Sequence, residues 1–153
     1  MGDSMHDDYF YMNKAFEEAL KALQEDEVPV GAIIVKDGKI IAKAHNKKEH
    51  KNSAIAHAEI LAINKANNKL NSWHLDDCIM YVTLEPCVMC VGAIIQSRIK
   101  KVVYGAKSYQ DGAIESAIKI FDTKGFNHYP ETLYLEKANC CSKIITHYFK
   151  SKR

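Results

Sequence analysis

Two short segments, His57-Ala58-Glu59 and Pro86-Cys87-Val88-Met89-Cys90, restrict the folds open to this chain more than any other feature. Each stands at the head of a stretch that reads as a helix, so each marks a helix start. For the histidine and both cysteines to bind one metal ion, two helix starts must converge at the end of a central strand. A catalytic zinc takes three protein ligands and leaves its fourth tetrahedral position open, whereas a structural zinc is closed by a fourth ligand. The two segments offer three such ligands, His57, Cys87 and Cys90, and one carboxylate, Glu59, that can stay off the metal. That inventory suits hydrolysis by a metal-activated water, with Glu59 carrying protons. Helix starts also favour thiolates, because unpaired N–H groups and the positive end of the dipole lower a cysteine pKa.

Taken singly, the fragments have plainer readings. His57 alone is an ordinary helix histidine, and C-x-x-C alone is a redox pair or half of a structural zinc site. The joint pattern is far more specific than its parts. Five cysteines, an odd number with two in C-x-x-C, do not make an extracellular disulfide framework. Cys78, Cys140 and Cys141 read as buried apolar fillers.

At 153 residues, 47% hydrophobic and 26% charged, the chain suits one domain with its own core, spanning 5–153. Met1-Gly2-Asp3-Ser4 reads as an expression scar before a natural start at Met5. No run of about eighteen apolar residues and no secretory pattern occurs, so a cytoplasmic protein without a membrane span is expected. A net charge of +2 neither demands nor excludes a nucleic-acid partner.

Periodicity predicts a first helix from Asp8 to Leu23, with Phe10, Met12, Ala15, Leu20 and Leu23 on its apolar side. Gly31 to Val35 and Ile40 to Ala44 predict a hairpin about Asp37-Gly38. A helix is expected over Ala54 to Asn67, with Ile55, Ile60, Leu61 and Ile63 on its apolar side. A strand over Ile79 to Leu84 leads to a helix opened by Pro86 in its first turn and running to Gln96. A strand at Val102 to Tyr104, a helix at Ala113 to Phe121, a strand at Thr132 to Leu135 and a helix at Lys137 to Phe149 complete the chain. The alternation predicts a five-stranded mixed sheet covered on both faces, a three-layer α/β/α sandwich.

The H-x-E and P-C-x-x-C pair is the signature of zinc-dependent nucleobase deaminases. Around it stand Glu27-Val28-Pro29-Val30-Gly31-Ala32, His45-Asn46, Tyr81-Val82-Thr83-Leu84-Glu85, Ser97-Arg98-Ile99, Val102-Val103-Tyr104-Gly105-Ala106 and Phe126-Asn127-His128. Over nearly its whole length the chain resembles the bacterial tRNA adenosine deaminases, which convert a wobble adenosine to inosine. The resemblance implies a cytidine-deaminase-like sandwich, a homodimer, one zinc per subunit and a tRNA anticodon stem-loop, of an arginine tRNA, as partner. It matches Asn46 to the asparagine that hydrogen-bonds the purine, and Val28, Pro29, Ala58, Leu84 and Pro86 to the pocket wall. Asn127 and His128 match positions near the flipped nucleotides, and the resemblance puts Ala106, Lys107 and Ser108 on the substrate side. Read from its own chemistry, Asn46 is equally a loop-capping residue.

Departures fall in RNA-facing parts: Lys107-Ser108-Tyr109-Gln110-Asp111 replaces the usual acidic or amide residue and lysine, and Tyr129 replaces an arginine. The end keeps an aromatic and basic residues, Phe149, Lys150, Lys152 and Arg153, suited to stacking and phosphate contact or to a solvated tail. Arg98, Lys100, Lys101 and Lys107 form either a phosphate rim or a solvated face. Two rivals share the signature: a deaminase of a free base such as guanine or cytosine, and a silent zinc-containing RNA-binding subunit. Val88, where free-guanine enzymes often carry proline, argues against the first; retention of Glu59 argues against the second.

Overall fold

A computed structural model describes residues 5–152; Met1 to Ser4 and Arg153 lie outside the described residues. The helices are α1 (Met5–Gln24), α2 (Ala58–Leu70), α3 (Val88–Ser97) and α4 (Asn139–Ser151). The strands are β1 (Gly31–Lys36), β2 (Lys39–His45), β3 (Cys78–Val82), β4 (Lys101–Tyr104) and β5 (Glu131–Tyr134). They form one mixed sheet in the order β2-β1-β3-β4-β5. β1 is antiparallel to both β2 and β3, and β3, β4 and β5 run parallel.

Alternation along the central strands explains the three layers, since successive side chains leave opposite faces of the sheet. Ala32, Ile34, Met80, Val82, Val102 and Tyr104 pack with the α2 and α3 side chains Ala58, Ala62, Val91 and Ile94. Their neighbours Ile33, Val35, Tyr81 and Val103 face the other way, onto Met12 and Ala15 of α1 and Cys141 of α4. Each isoleucine or valine so buried is worth roughly 1.5–3 kcal/mol. The central strands therefore form the rigid part of the molecule. The hairpin turns at Asp37 and Gly38, at φ 51° and 74°, a left-handed pair that Asp-Gly adopts readily.

Ala32 lies opposite both Ala44 and Val82, and Val82 lies beside Tyr104. The start of β1 and the ends of β2, β3 and β4 thus share one edge, toward which α2 and α3 begin.

Several elements differ from expectation. In α1 the buried stripe is Met12, Ala15, Ala19 and Ala22, while Phe10 and Leu20 face outward; small side chains let the helix lie close to the sheet. The second helix starts at Ala58, not Ala54, and Ile55 is exposed; its core side is Ala58, Ala62, Ile63 and Ala66. Backbone bonds from Ala56 N to Ser53 O and from Lys47 N to Ala56 O hold the preceding residues in a loop. Pro86 precedes the helix start, because Cys87 is the N-cap of α3 in extended conformation. The segment expected to be helical over Ala113 to Phe121 is a series of turns ending in a 3-10 turn, Ile120–Asp122. Its amides at Ile114, Glu115 and Ser116 donate to the Glu85 carboxylate, and those of Ala117 and Ile118 both turn back to Gly112 O, so the bonds from each N–H to the carbonyl four residues back that an α-helix needs do not form.

Candidate active site

The two helix starts at the sheet edge break the usual capping rule in the same way. His57 is the N-cap of α2 and Cys87 the N-cap of α3, both extended, and neither side chain makes a capping hydrogen bond. Ser, Thr, Asp and Asn are the residues that satisfy helix N–H groups there. Here both cap side chains point instead at a common centre: His57 Nδ1 lies 3.8 Å from Cys87 Sγ and 3.7 Å from Cys90 Sγ. One donor atom from each of the three residues fits within 4.8 Å of the others, the only such His/Cys/carboxylate group among the described residues. Three nitrogen and sulfur donors at this spacing are what a zinc ion with an open fourth position would use.

The electrostatics of the three residues are strongly coupled. Cys87 is pulled down to about 4, chiefly by the Cys90 hydrogen bond and, against the cost of burial, by His57. Cys90 is pushed far up by the Cys87 thiolate beside it and by burial. His57 is raised by its hydrogen bond to Cys87. Protons thus occupy positions that metal binding would empty. Glu59, in the first turn of α2 and 4% exposed, is lifted by burial to about 7.

Above these groups opens a pocket of about 980 Å³. Val28, Asn46, Ala58, Leu84, Ala106, Lys107 and Ser108 line it, together with Phe149, Lys150 and Lys152 from the end of α4. Cys90, Pro29 and Pro86 are buried behind the wall. Asn127 and His128 do not join it. His128 Nε2 bonds the carbonyl of Ile99 at 2.7 Å, just before β4 and so at the opposite edge of the sheet. Arg98, Lys100 and Lys101 lie at that far edge too, Arg98 beside Asp76 at 3.4 Å.

Asn46 combines both of its readings. Its Oδ1 accepts from Lys48 N at 3.2 Å and its Nδ2 donates to Val28 O at 3.4 Å, a loop-binding pattern, yet the side chain also lines the pocket. One N–H and one lone pair of the amide stay open to a ligand. At the rim, Lys107 Nζ is 3.2 Å from Glu115 and 4.9 Å from the Tyr134 ring, and Lys152 Nζ is 2.7 Å from Asp26. Both cations already have partners. Cys78 and Cys141 are buried, Cys140 is partly so, and all three are free thiols away from the metal donors.

Sequence reasoning gave no role to Glu27, and the structure gives it one. Only 1% exposed, it accepts from Glu49 N at 3.1 Å and from His50 N and Nδ1 at 2.7 Å each, holding the loop that follows Asn46. A glutamate immediately before the short apolar run Val28-Pro29-Val30 was the available signal. Lys48 and Tyr109 also line the pocket without having been singled out as site residues.

The MafB19-like deaminase family model matches residues 6–153. A curated tRNA-specific adenosine deaminase of Streptococcus pyogenes serotype M1 is 41% identical over 150 residues, covering 98% of this chain and 88% of that protein. The chain belongs to the family of tRNA-specific adenosine deaminases. A solved structure from a study of A-to-I editing by tRNA deaminases at the wobble position is 38% identical with a TM-score of 0.85. It covers 89% of this chain and 99% of its own. A guanine deaminase of Bacillus subtilis superposes less closely, at a TM-score of 0.63 and 32% identity, over 94% of this chain and 93% of its own.

Proposed function

We propose that this deaminase converts the wobble adenosine of a tRNA anticodon loop, that of an arginine tRNA by resemblance, to inosine and ammonia. One zinc ion per chain, held by His57, Cys87 and Cys90, belongs to the proposal. The observation that carries it is the convergence of those three donors beside buried Glu59, beneath a pocket with aromatic and basic residues at its mouth. When bound, zinc acts as a Lewis acid that makes water nucleophilic at neutral pH.

The chain's own residues supply the rest. Val28, Ala58 and Leu84 give the base an apolar slot, and Asn46 offers its spare donor and acceptor to the purine edge. Water oxygen adds to C6 while Glu59 takes its proton and passes it to N1. A second proton moves through Glu59 to the exocyclic nitrogen, the C6–N bond breaks, and ammonia leaves. An anticodon-loop base is unpaired, so drawing it into the pocket breaks no base pair. The cavity stands at the upper end of the roughly 300–1,000 Å³ usual for small-ligand sites, which favours a substrate larger than a lone base. Phe149, 46% exposed, and Lys150 are placed to stack on a base and hold a phosphate. No helix among the described residues is long and apolar enough to cross a membrane. The proposal takes the enzyme to be a cytoplasmic homodimer, on the same resemblance.

The likeness to a guanine deaminase favours a second reading, hydrolysis of a free base. Incubating zinc-loaded protein with an arginine-tRNA anticodon stem-loop, and separately with guanine and cytosine, tests both. Inosine in the stem-loop is expected. Ammonia from a free base alone would establish the second reading, and no turnover of any substrate would point to a silent subunit.

A further inference from the structure

Glu85 stands between Leu84 and the Pro86-Cys87 segment and borders the pocket with Leu84 and Cys87, yet its carboxylate is taken up by backbone N–H groups of the loop after β4. It is 2% exposed. Oε2 accepts from the backbone N–H groups of Ile114, Glu115 and Ser116 at 3.0, 2.8 and 3.1 Å. Oε1 accepts from Ser108 N at 3.2 Å and from the Ser116 hydroxyl. One carboxylate thus grips both ends of a single arc. Between the gripped ends lie Tyr109, Gln110 and Asp111, which with Lys107 and Ser108 form one wall of the pocket.

Two backbone bonds tie the same arc to the metal-donor segment: Glu85 N to Ala106 O and Ala113 N to Pro86 O, each 2.8 Å. Gly112 completes the fit. A Cβ there would fall 2.4 Å from Glu85 Cδ and 2.6 Å from Ser108 O, so any side chain at this position forces the arc off the carboxylate. A loop held only by its own turns would need none of this. The hold fixes the distance between the wall and Cys87, and thereby the place of a bound nucleotide relative to the reacting centre.

We propose that Glu85 is a positioning residue for the nucleic-acid substrate, acting through the wall of residues 107–111. The proposal rests on the tRNA reading above and deepens it: the wall meets the target nucleotide or its immediate neighbour, and Tyr109, 77% exposed at the mouth, presents its ring there.

Glu85→Gln, Gly112→Ala and the milder Ser116→Ala are compared with wild type, all loaded with zinc. Amide hydrogen exchange at Ser108 and at 114–116 reads the hold itself, metal analysis reads the donor site, and kcat and KM are measured on the anticodon stem-loop. Exchange protection should fall in all three variants while zinc stays near one per chain. Loosening the wall's contact with a base weakens binding, so kcat/KM should drop by roughly 10- to 100-fold in the first two variants and less in Ser116→Ala. The drop should come mainly through KM. Because Ser116→Ala removes one hydroxyl alone, it keeps the test open if a stronger variant fails to fold. Protection retained in Glu85→Gln, or protection lost with KM unchanged, would overturn the proposal; a purely structural residue gives the second result. Wild-type protein silent on the stem-loop but active on guanine would overturn the tRNA reading separately. The same variants are then measured on guanine, where an unchanged KM again overturns the wall.

Discussion

Replacing Glu59 by glutamine keeps the side chain's size and removes its acid, which sets activity and stability moving in opposite directions. The carboxyl is 4% exposed, and burial lifts it from 4.5 to about 7. An acid whose folded pKa lies above its unfolded one favours folding fully below the unfolded value, near 4.5, and that contribution is lost as pH rises through about 7. At about 1.4 kcal/mol per pH unit, the cost of the ionised, buried carboxylate at pH 8 is on the order of 3 kcal/mol. Metal-free Glu59→Gln should therefore be more stable than metal-free wild type by on the order of 3 kcal/mol at pH 8, with the difference closing toward pH 4.5. Urea denaturation of chelator-treated protein at several pH values measures this. Turnover should fall by about 100- to 10,000-fold, the span expected when a general acid-base group is removed. Zinc content and stem-loop affinity should hold, since the residue is no ligand in the proposed site. Turnover within about threefold of wild type would refute the proton-carrying role. A variant less stable than wild type at pH 8 would refute the argument from burial.

The donor set predicts that His57→Ala, Cys87→Ser and Cys90→Ser each lose bound zinc, whereas Cys78→Ser and Cys140→Ser keep about one equivalent by metal analysis. For Glu27, burial raises the carboxyl but bonds from His50 and Glu49 outweigh it, so the net shift is downward. The stability it confers is then complete above about 4.5 and lost as pH falls through the folded value; Glu27→Gln should cost about 1.5–3 kcal/mol at pH 7, by chemical denaturation, with the cost shrinking once pH falls below that folded value. At the mouth, Phe149→Ala should weaken stem-loop binding by about 1–3 kcal/mol, and Lys150→Ala should flatten the salt dependence by roughly 0.7 in log-log slope, both read by gel-shift titration. Lys152→Ala should change that slope less, because Lys152 already pairs with Asp26 at 2.7 Å.

The parts of this molecule legible in the sequence are those whose physics is local. Continuous apolar runs over Gly31 to Val35 and Ile79 to Leu84 marked two central strands, and Asp37-Gly38 marked the hairpin from the first of them into β2. The clustering of His57, Cys87 and Cys90 was legible because H-x-E and P-C-x-x-C at two helix starts are the residue types and spacing that bring one ion's donors together. Expectation failed where a distant group decides the backbone's partners. Ala113 to Phe121 has a helical apolar pattern, but Glu85, far away in sequence, anchors the amides of 114–116 while those of Ala117 and Ile118 turn back to Gly112 O and break the helical ladder. Phe10, Leu20 and Ile55 look like core residues by size, yet alanines at neighbouring positions face the sheet because close packing selects small side chains. Asn127 and His128 carry polar chemistry in a familiar setting, but the start of β5 puts them at the sheet edge away from the pocket.

Two buried glutamates divide the site into a part that must keep its residues and a part free to change them. Glu27 and Glu85 hold the two loops beside the pocket chiefly through backbone N–H groups, which every residue except proline supplies. A loop held in this way keeps its path whatever side chains it carries. Lys107-Ser108-Tyr109-Gln110-Asp111 can therefore depart from the family pattern while the three donors and Glu59 keep their geometry. The position that cannot vary is Gly112, where a Cβ would meet the Glu85 carboxylate at 2.4 Å. Substrate selection is then free to drift in the wall's side chains, with the chemistry insulated at two helix starts on the rigid sheet edge. On this argument, exchanging residues 107–111 for those of a relative should alter RNA preference and leave zinc binding unchanged, whereas placing any side chain at Gly112 should disturb both wall and substrate affinity. A swap that abolished zinc binding would show that wall and metal centre are one cooperative unit.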